Sequence, residues 1–286
     1  TIELGDGVTM TLARIPAGQF VMGSTNGEAD ECPLSAVSIK TSFWIGICEV
    51  TNEQFRRFDG NHDSRLFTKR YQGPDGPGLS LDGPTQPAVR VAWERAMAFC
   101  RWLSQKTGVE YTLPTEAQWE YACRAGSDTA FSFGDVEADF SRHANVADRA
   151  LSLPPGPTGG LASNVDAHYG RGIFLSAIYG GTIVFNSRYD DGMIATSPIR
   201  SYQPSVWGLY DMHGNAAEWT RSDYRRYPYD AGDGRDEVAS GGRKVVRGGS
   251  WVDRPKRCRS AFRLSYPTWQ RVHNVGFRVV CESDGS

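Results

Sequence analysis

Glycine and proline interrupt this 286-residue chain too often for long regular elements: 32 glycines and 15 prolines are spread along it. Helical spacing is clearest over 92–106, where Trp93, Ala96, Phe99, Cys100 and Leu103 recur at the interval that places apolar side chains on one helix face. Two shorter helices are signalled by capping boxes, in which a Thr oxygen accepts a backbone N–H and a Gln three residues later reaches back. One pairs Thr51 with Gln54 and runs to about Phe58; the other pairs Thr115 with Gln118 behind Pro114 and stops near Gly126. Alternating apolar and polar residues predict strands near 15–24, from Val37 to Ile47, around Val245–Arg247 and over 276–280. The expectation is a single α+β domain, rich in loops, with aromatic side chains filling the space between turns.

Composition narrows the function. Forty per cent of the residues are hydrophobic, enough for one sizeable core. The net charge is −2 with both signs interspersed, so the chain lacks the basic footprint of a nucleic-acid or anionic-membrane binder. No apolar run approaches the length of a membrane span. Residues 59–90 are rich in Gly, Pro and Asp and read as a long surface excursion. Residues 149–190 read as an insertion too short for its own core, with a β-prone centre at Thr182-Ile183-Val184-Phe185.

Six cysteines are widely spaced and form no CxxC, which argues against a structural zinc site. An even number suits three disulfides in an exported protein, secreted or periplasmic by bacterial-type export; reduced core residues are the alternative. The five histidines form no HxxxH or HxH pattern. Asp211-Met212-His213-Gly214-Asn215-Ala216-Ala217-Glu218 gathers two carboxylates and an amide beside a turn-forming glycine, a donor set that suits Ca²⁺. Its plain alternative is a polar turn in which Asp211 caps and Glu218 pairs with an arginine.

Several ordered segments resemble the sulfatase-modifying-factor (formylglycine-generating-enzyme) family. They are Ile15-Pro16-Ala17-Gly18 through Met22-Gly23-Ser24, Glu49-Val50-Thr51-Asn52, Leu113-Pro114-Thr115-Glu116-Ala117 through Ala122, Gly208-Leu209-Tyr210-Asp211 through Trp219, Arg247-Gly248-Gly249-Ser250-Trp251 and Gly276-Phe277-Arg278-Val279. The resemblance implies a fold related to C-type lectins with little regular structure. It implies structural calcium at Asp211, the carbonyls of Gly214 and Ala216, and Glu218. A second ion is implied at Asn145, the Val146 carbonyl, Asp191 and the Met193 carbonyl. It also implies disulfides Cys100–Cys281 and Cys123–Cys258, which would leave Cys32 to pair with Cys48.

In formylglycine-generating enzymes the segment after Arg-Gly-Gly-Ser carries two cysteines five residues apart, which bind copper and oxidise a substrate cysteine to an aldehyde. Here the first position is Asp253 and the second is Cys258. A thiolate with a carboxylate is a poor Cu(I) site, because Cu(I) is soft and oxygen donors are hard. Ser250 and Arg263 match family active-site positions, so the candidate catalytic set is Ser250, Asp253, Cys258 and Arg263, with Trp251 and Trp269 beside them. Asp253 with Arg254 reads equally as a surface ion pair. A hydrolase triad at Ser250 lacks an obvious pair of His and Asp partners near it in sequence. The resemblance points to an oxidoreductase-type modifying enzyme for a peptide or protein substrate. The alternative is a non-catalytic, calcium-dependent domain that binds a protein or glycan through loops 59–90 and 149–190.

Overall fold

The computed structural model describes residues 1–67, 79–152, 165–166, 171–176, 181–186, 188–238 and 242–282. Three α-helices stand where the sequence placed them: α1 (Asn52–Arg56), α2 (Trp93–Thr107) and α3 (Glu116–Arg124). Both capping boxes form. Thr51 Oγ1 accepts from Gln54 N at 3.2 Å, and Thr115 Oγ1 from Gln118 N at 3.0 Å. α2 ends on Gly108, whose left-handed backbone (φ 76°) returns its N–H to Ser104 O, the glycine-specific way to close a helix.

Two four-stranded sheets form the larger part of the strand structure, beside one three-stranded and three two-stranded sheets among the described residues. In one, Arg243–Arg247 lies between Leu264–Pro267 and Ala217–Asp223, and Val275–Gly276 adds to Ala217–Asp223 in parallel. In the other, Phe43–Gly46 lies between Leu12–Ile15 and Val280–Cys281, with Tyr111–Thr112 at the edge. The single strand expected from Val37 to Ile47 is two: Ser35–Ile39 pairs with Gly18–Met22, the chain turns, and Phe43–Gly46 joins the second sheet. The 276–280 segment likewise splits between sheets, as Val275–Gly276 and Val280–Cys281. The insertion forms a sheet of Val165–Asp166, Arg171–Ser176 and Gly181–Asn186; most of its remaining residues, like 68–78 of the 59–90 excursion, lie outside the described ones.

α2 packs Trp93, Ala96, Phe99, Cys100 and Leu103 against Trp219, Val246, Val275 and Phe277, so the predicted apolar face is the one buried. α3 departs from an amphipathic helix: all nine of its residues are buried, charged ones included. A buried charge persists only when paired, and each has its partner. Arg263 grips Glu116 with Nε at 2.6 Å and Nη2 at 3.0 Å. Glu120 takes Arg124 at 2.7 Å and Arg247. Trp119 Nε1 donates to Glu218 Oε2 at 2.7 Å, and Arg278 clamps the same carboxylate at 2.6–2.9 Å.

Removing one member of such a pair strands the other. Arg263→Met should therefore lower the unfolding free energy by about 3–5 kcal/mol in urea denaturation; an unchanged midpoint would contradict the structural role of this arginine.

Candidate functional site

The strand Arg243–Arg247 runs into Gly248 and Gly249, both left-handed (φ 93° and 66°). A Cβ on Gly249 would stand 2.6 Å from Arg257 O and from Cys258 Sγ, so only glycine lets this turn lie against the 255–258 segment. Beyond the turn, Ser250 Oγ donates to Asp253 Oδ2 at 2.6 Å and accepts from Asn274 Nδ2 at 2.7 Å. All three side chains are buried, Asp253 retaining 8% exposure. Burial raises the Asp253 carboxyl above the ordinary carboxylate range, against the opposing pull of Ser250 and Arg257. The guanidinium beside it is Arg257, at 3.5 Å, in place of the expected Arg254.

Aromatic rings border the cluster. Phe67 meets the edge of Trp251 at 4.7 Å and stacks on His273 at 5.2 Å. Burial pushes His273 down to about 3, so it is neutral at physiological pH. Trp251 Nε1 and Asn274 Oδ1 are buried without a hydrogen-bond partner, a donor and an acceptor left over beside the cluster. Asn274 was missed in the sequence, where 276–280 was read as a strand and the residue two places before it carried no motif.

Two other expected members do not join. Arg263 is held by Glu116, lies over Tyr227 at 4.1 Å and donates to the Asp30 and Arg225 carbonyls, so its role is to tie α3 to the loops. Trp269 is 72% exposed. Cys258 is fully buried, its thiol 3.9 Å from Asp253 O and 4.0 Å from Ser250 O, and burial drives its pKa well up.

The expected disulfides do not form: among the described residues no two of the six cysteines are bonded to each other. Cys123 Sγ lies 3.6 Å from Ser260 Oγ and 3.5 Å from His213 Nε2, rather than bonded to Cys258. Cys32 donates to Ser24 O at 3.0 Å. Cys100 sits within α2, and Cys281 lies on the Val280–Cys281 strand with no sulfur bridge between them.

The first calcium set is altered. Glu218 is fully engaged by Arg278 and Trp119, the polar-turn alternative, so it offers no open oxygen. Asp211 Oδ2 accepts Arg200 N at 3.1 Å while Oδ1 is unpartnered; Glu49 Oε2 is unpartnered too, and burial raises both carboxyls, with the Asp211 charge pushing Glu49 up further. Gly214 N donates to Gly248 O, and Ala216 N approaches Glu49 Oε1 at 3.4 Å. In the second set, Asp191 accepts from Val146 N at 2.9 Å and from Met193 N at 2.8 Å, and Asn145 Oδ1 is buried without a partner. Burial and Asp148 raise Asp191 to about 7. Among the described residues no three or more His, Cys, Asp or Glu side chains gather at metal-binding distance, so amide and carbonyl oxygens would have to complete either site.

The sequence profile of the Sulfatase-modifying factor enzyme 1-like domain (FGE-sulfatase) matches residues 7–283. The chain is 26% identical to the inactive C-alpha-formylglycine-generating enzyme 2 of Bos taurus, over 97% of this chain and 90% of that protein. It is 27% identical to the formylglycine-generating enzyme of Streptomyces coelicolor, over 95% and 89%. Among solved structures it resembles PvdO from Pseudomonas aeruginosa (TM-score 0.67, 27% identity, 95% of this chain and 94% of that one). Treponema denticola variable protein 1 shares the fold (TM-score 0.68, 22% identity, 99% and 98%).

A carboxyl whose pKa is raised by folding ionises more readily when unfolded, so its burial costs stability as pH climbs from the unfolded carboxylate range through the folded value. Asp253→Asn should accordingly melt higher than the parent at pH 7, with the gap closing as pH falls to about 4. A variant that melts lower at pH 7 would show the carboxylate to be ionised and stabilising.

Proposed function

The chain belongs to the sulfatase-modifying-factor (FGE-sulfatase) family, with its C-type-lectin-related α+β fold, and from that premise we propose that it modifies a peptide or protein substrate without a copper thiolate pair. Asp253 moves the proton, and Ser250 and Asn274 orient it. The observation that carries this reading is the Asn274–Ser250–Asp253 hydrogen-bond chain, built at the position where the family resemblance places the first copper cysteine. A buried carboxyl with a raised pKa is suited to general acid–base work. The unpartnered Trp251 Nε1 and Asn274 Oδ1 complement the C=O and N–H of a bound peptide group.

The donor set does not suit copper. Cys258 is sealed behind Gly249 and its thiol pKa is driven up, and the neighbouring thiol, Cys123, is also fully buried and pushed up to about 12. Both are held as protonated thiols, and no step is assigned to the metal.

Calcium does suit the remaining oxygens, and one or two structural ions belong to the proposal. Asn145, Asp191 and the Val146 and Met193 carbonyls would hold one ion. Asp211, with the Gly214 and Ala216 carbonyls, would hold the other, where Glu49 rather than Glu218 has the open oxygen. Such ions would fix loops that lack sheet or helix to hold them. Export to a periplasmic or extracellular space belongs to the proposal through the even cysteine count, although none of the expected disulfides forms.

A relative named inactive is as similar as the named enzymes, which favours a calcium-dependent binding domain as the second reading. Peptide mass spectrometry of a strain lacking the protein separates the two. A peptide mass change should appear in the deletion strain and be reversed by the parent chain but not by Asp253→Asn or Ser250→Ala. Full reversal by both variants would remove the acid–base reading and leave the binding domain.

A further inference from the structure

At the start of α2 a cavity of about 320 Å³ is lined by four arginines, Arg65, Arg90, Arg95 and Arg271, against two carboxylates, Asp59 and Asp63. The carboxylates are already committed. Asp59 is bound by Arg95 at 2.6 Å, and Asp63 Oδ1 accepts the Arg65 backbone N–H at 2.7 Å. His62, also on the wall, is neutral at physiological pH, since burial and Arg56 lower its pKa. Among the described lining residues four guanidinium groups face two carboxylates, and neither Arg65 nor Arg271 makes an ion pair, in a chain whose net charge is −2.

The arrangement is held at some conformational cost. Arg65 and Arg90 both have left-handed backbone (φ 62° and 57°), unusual for residues with a Cβ and commonest where a site demands it. Arg90 is anchored by Nε to Ser64 O at 3.1 Å, and its backbone N–H to Val272 O at 2.9 Å, so the pocket wall is tied to the 271–274 segment. The Arg65 charge also presses on Arg90. Among the described residues the side chains of Arg65 and Arg271 make no hydrogen bond or ion pair, and both are exposed. Two like-charged groups brought together beside a cavity, with open donors on both sides, are the ordinary preparation for a multiply charged oxyanion, which guanidinium forks bind with paired hydrogen bonds.

We propose that this pocket binds a tetrahedral dianion, phosphate or sulfate, either free or as an ester carried by the substrate. Two uncommitted guanidinium groups, Arg65 and Arg271, on one pocket favour a dianion over a carboxylate. Arg271 is three residues from Asn274, so an ester held here would anchor a substrate beside Ser250 and Asp253. The proposal goes beyond the acid–base reading and does not depend on it, since binding can be read without turnover.

The test is calorimetric titration of the full chain at low salt with inorganic phosphate, inorganic sulfate, acetate, and a serine peptide with and without its phosphate. One phosphate or sulfate should bind per chain, more weakly at high salt. Arg65→Gln and Arg271→Gln should each weaken it about tenfold or more, the loss of a charge-assisted contact. The exposed Arg101→Gln on α2 should leave it unchanged, and unaltered melting temperatures would show that all three variants fold. Tighter binding of the phosphopeptide than of free phosphate would assign the pocket to substrate, and binding of the free anion alone would make it an ion subsite. No binding of either dianion, equal binding of acetate, or wild-type affinity in both pocket variants would overturn the proposal.

Discussion

The structure depends on burying charge inside α3. Glu116 and Glu120 are fully enclosed, and four arginines answer them or their neighbours: Arg263 on Glu116, Arg124 and Arg247 on Glu120, and Arg278 on Glu218 beneath Trp119. Buried pairs of this kind contribute little net stability compared with apolar residues, but they are costly to break singly. Their use here is to fix loops. Arg247 donates to the Ala261 and Phe262 carbonyls at 2.7 and 2.6 Å, Arg278 to Gly46 and Tyr210, and Arg263 to Asp30 and Arg225. In a chain with few long strands, guanidinium forks do the work that hydrogen-bond ladders do elsewhere.

The Ser250–Asp253 cluster inherits its position from this frame. Arg247 is held on both sides, by Glu120 and by the 260–262 carbonyls, so the Gly248–Gly249 turn that follows has a fixed origin and a fixed direction. The turn must fold tightly against Arg257 and Cys258, and glycine permits it. Ser250, Asp253 and Asn274 then come from two segments brought together by the parallel pairing of Val275–Gly276 with Ala217–Glu218. Rigid elements carry the polar cluster, and the long connections lie around it.

Much of this was legible in the sequence, and the part that was not has physical causes. Capping boxes are local, so Thr51–Gln54 and Thr115–Gln118 located two helices, and periodicity located the buried face of α2. Sheet exchange is non-local: nothing in Val37 to Ile47 reveals that a turn hands the chain from one sheet to another. Arg263 and Glu218 were read as functional because they fall in family motifs, but a motif does not say which way a charged side chain points, and both point into ion pairs. Asp253 and Ser250 were identified by counting from Arg247. Asn274 needed the fold, since its partner lies 24 residues earlier. The cysteine pairing failed because matching strand faces does not bring two sulfurs together: Ser260 and His213 are what meet Cys123.

The central claim is that the Asn274–Ser250–Asp253 cluster stands where the first copper thiolate would be, on a scaffold proposed to hold calcium. Elemental analysis tests it most directly, on reduced protein incubated with calcium and Cu(I) and then desalted. The account predicts calcium retained with the chain and copper washed away. Copper retained in proportion to protein, and lost in Cys258→Ser, would contradict it.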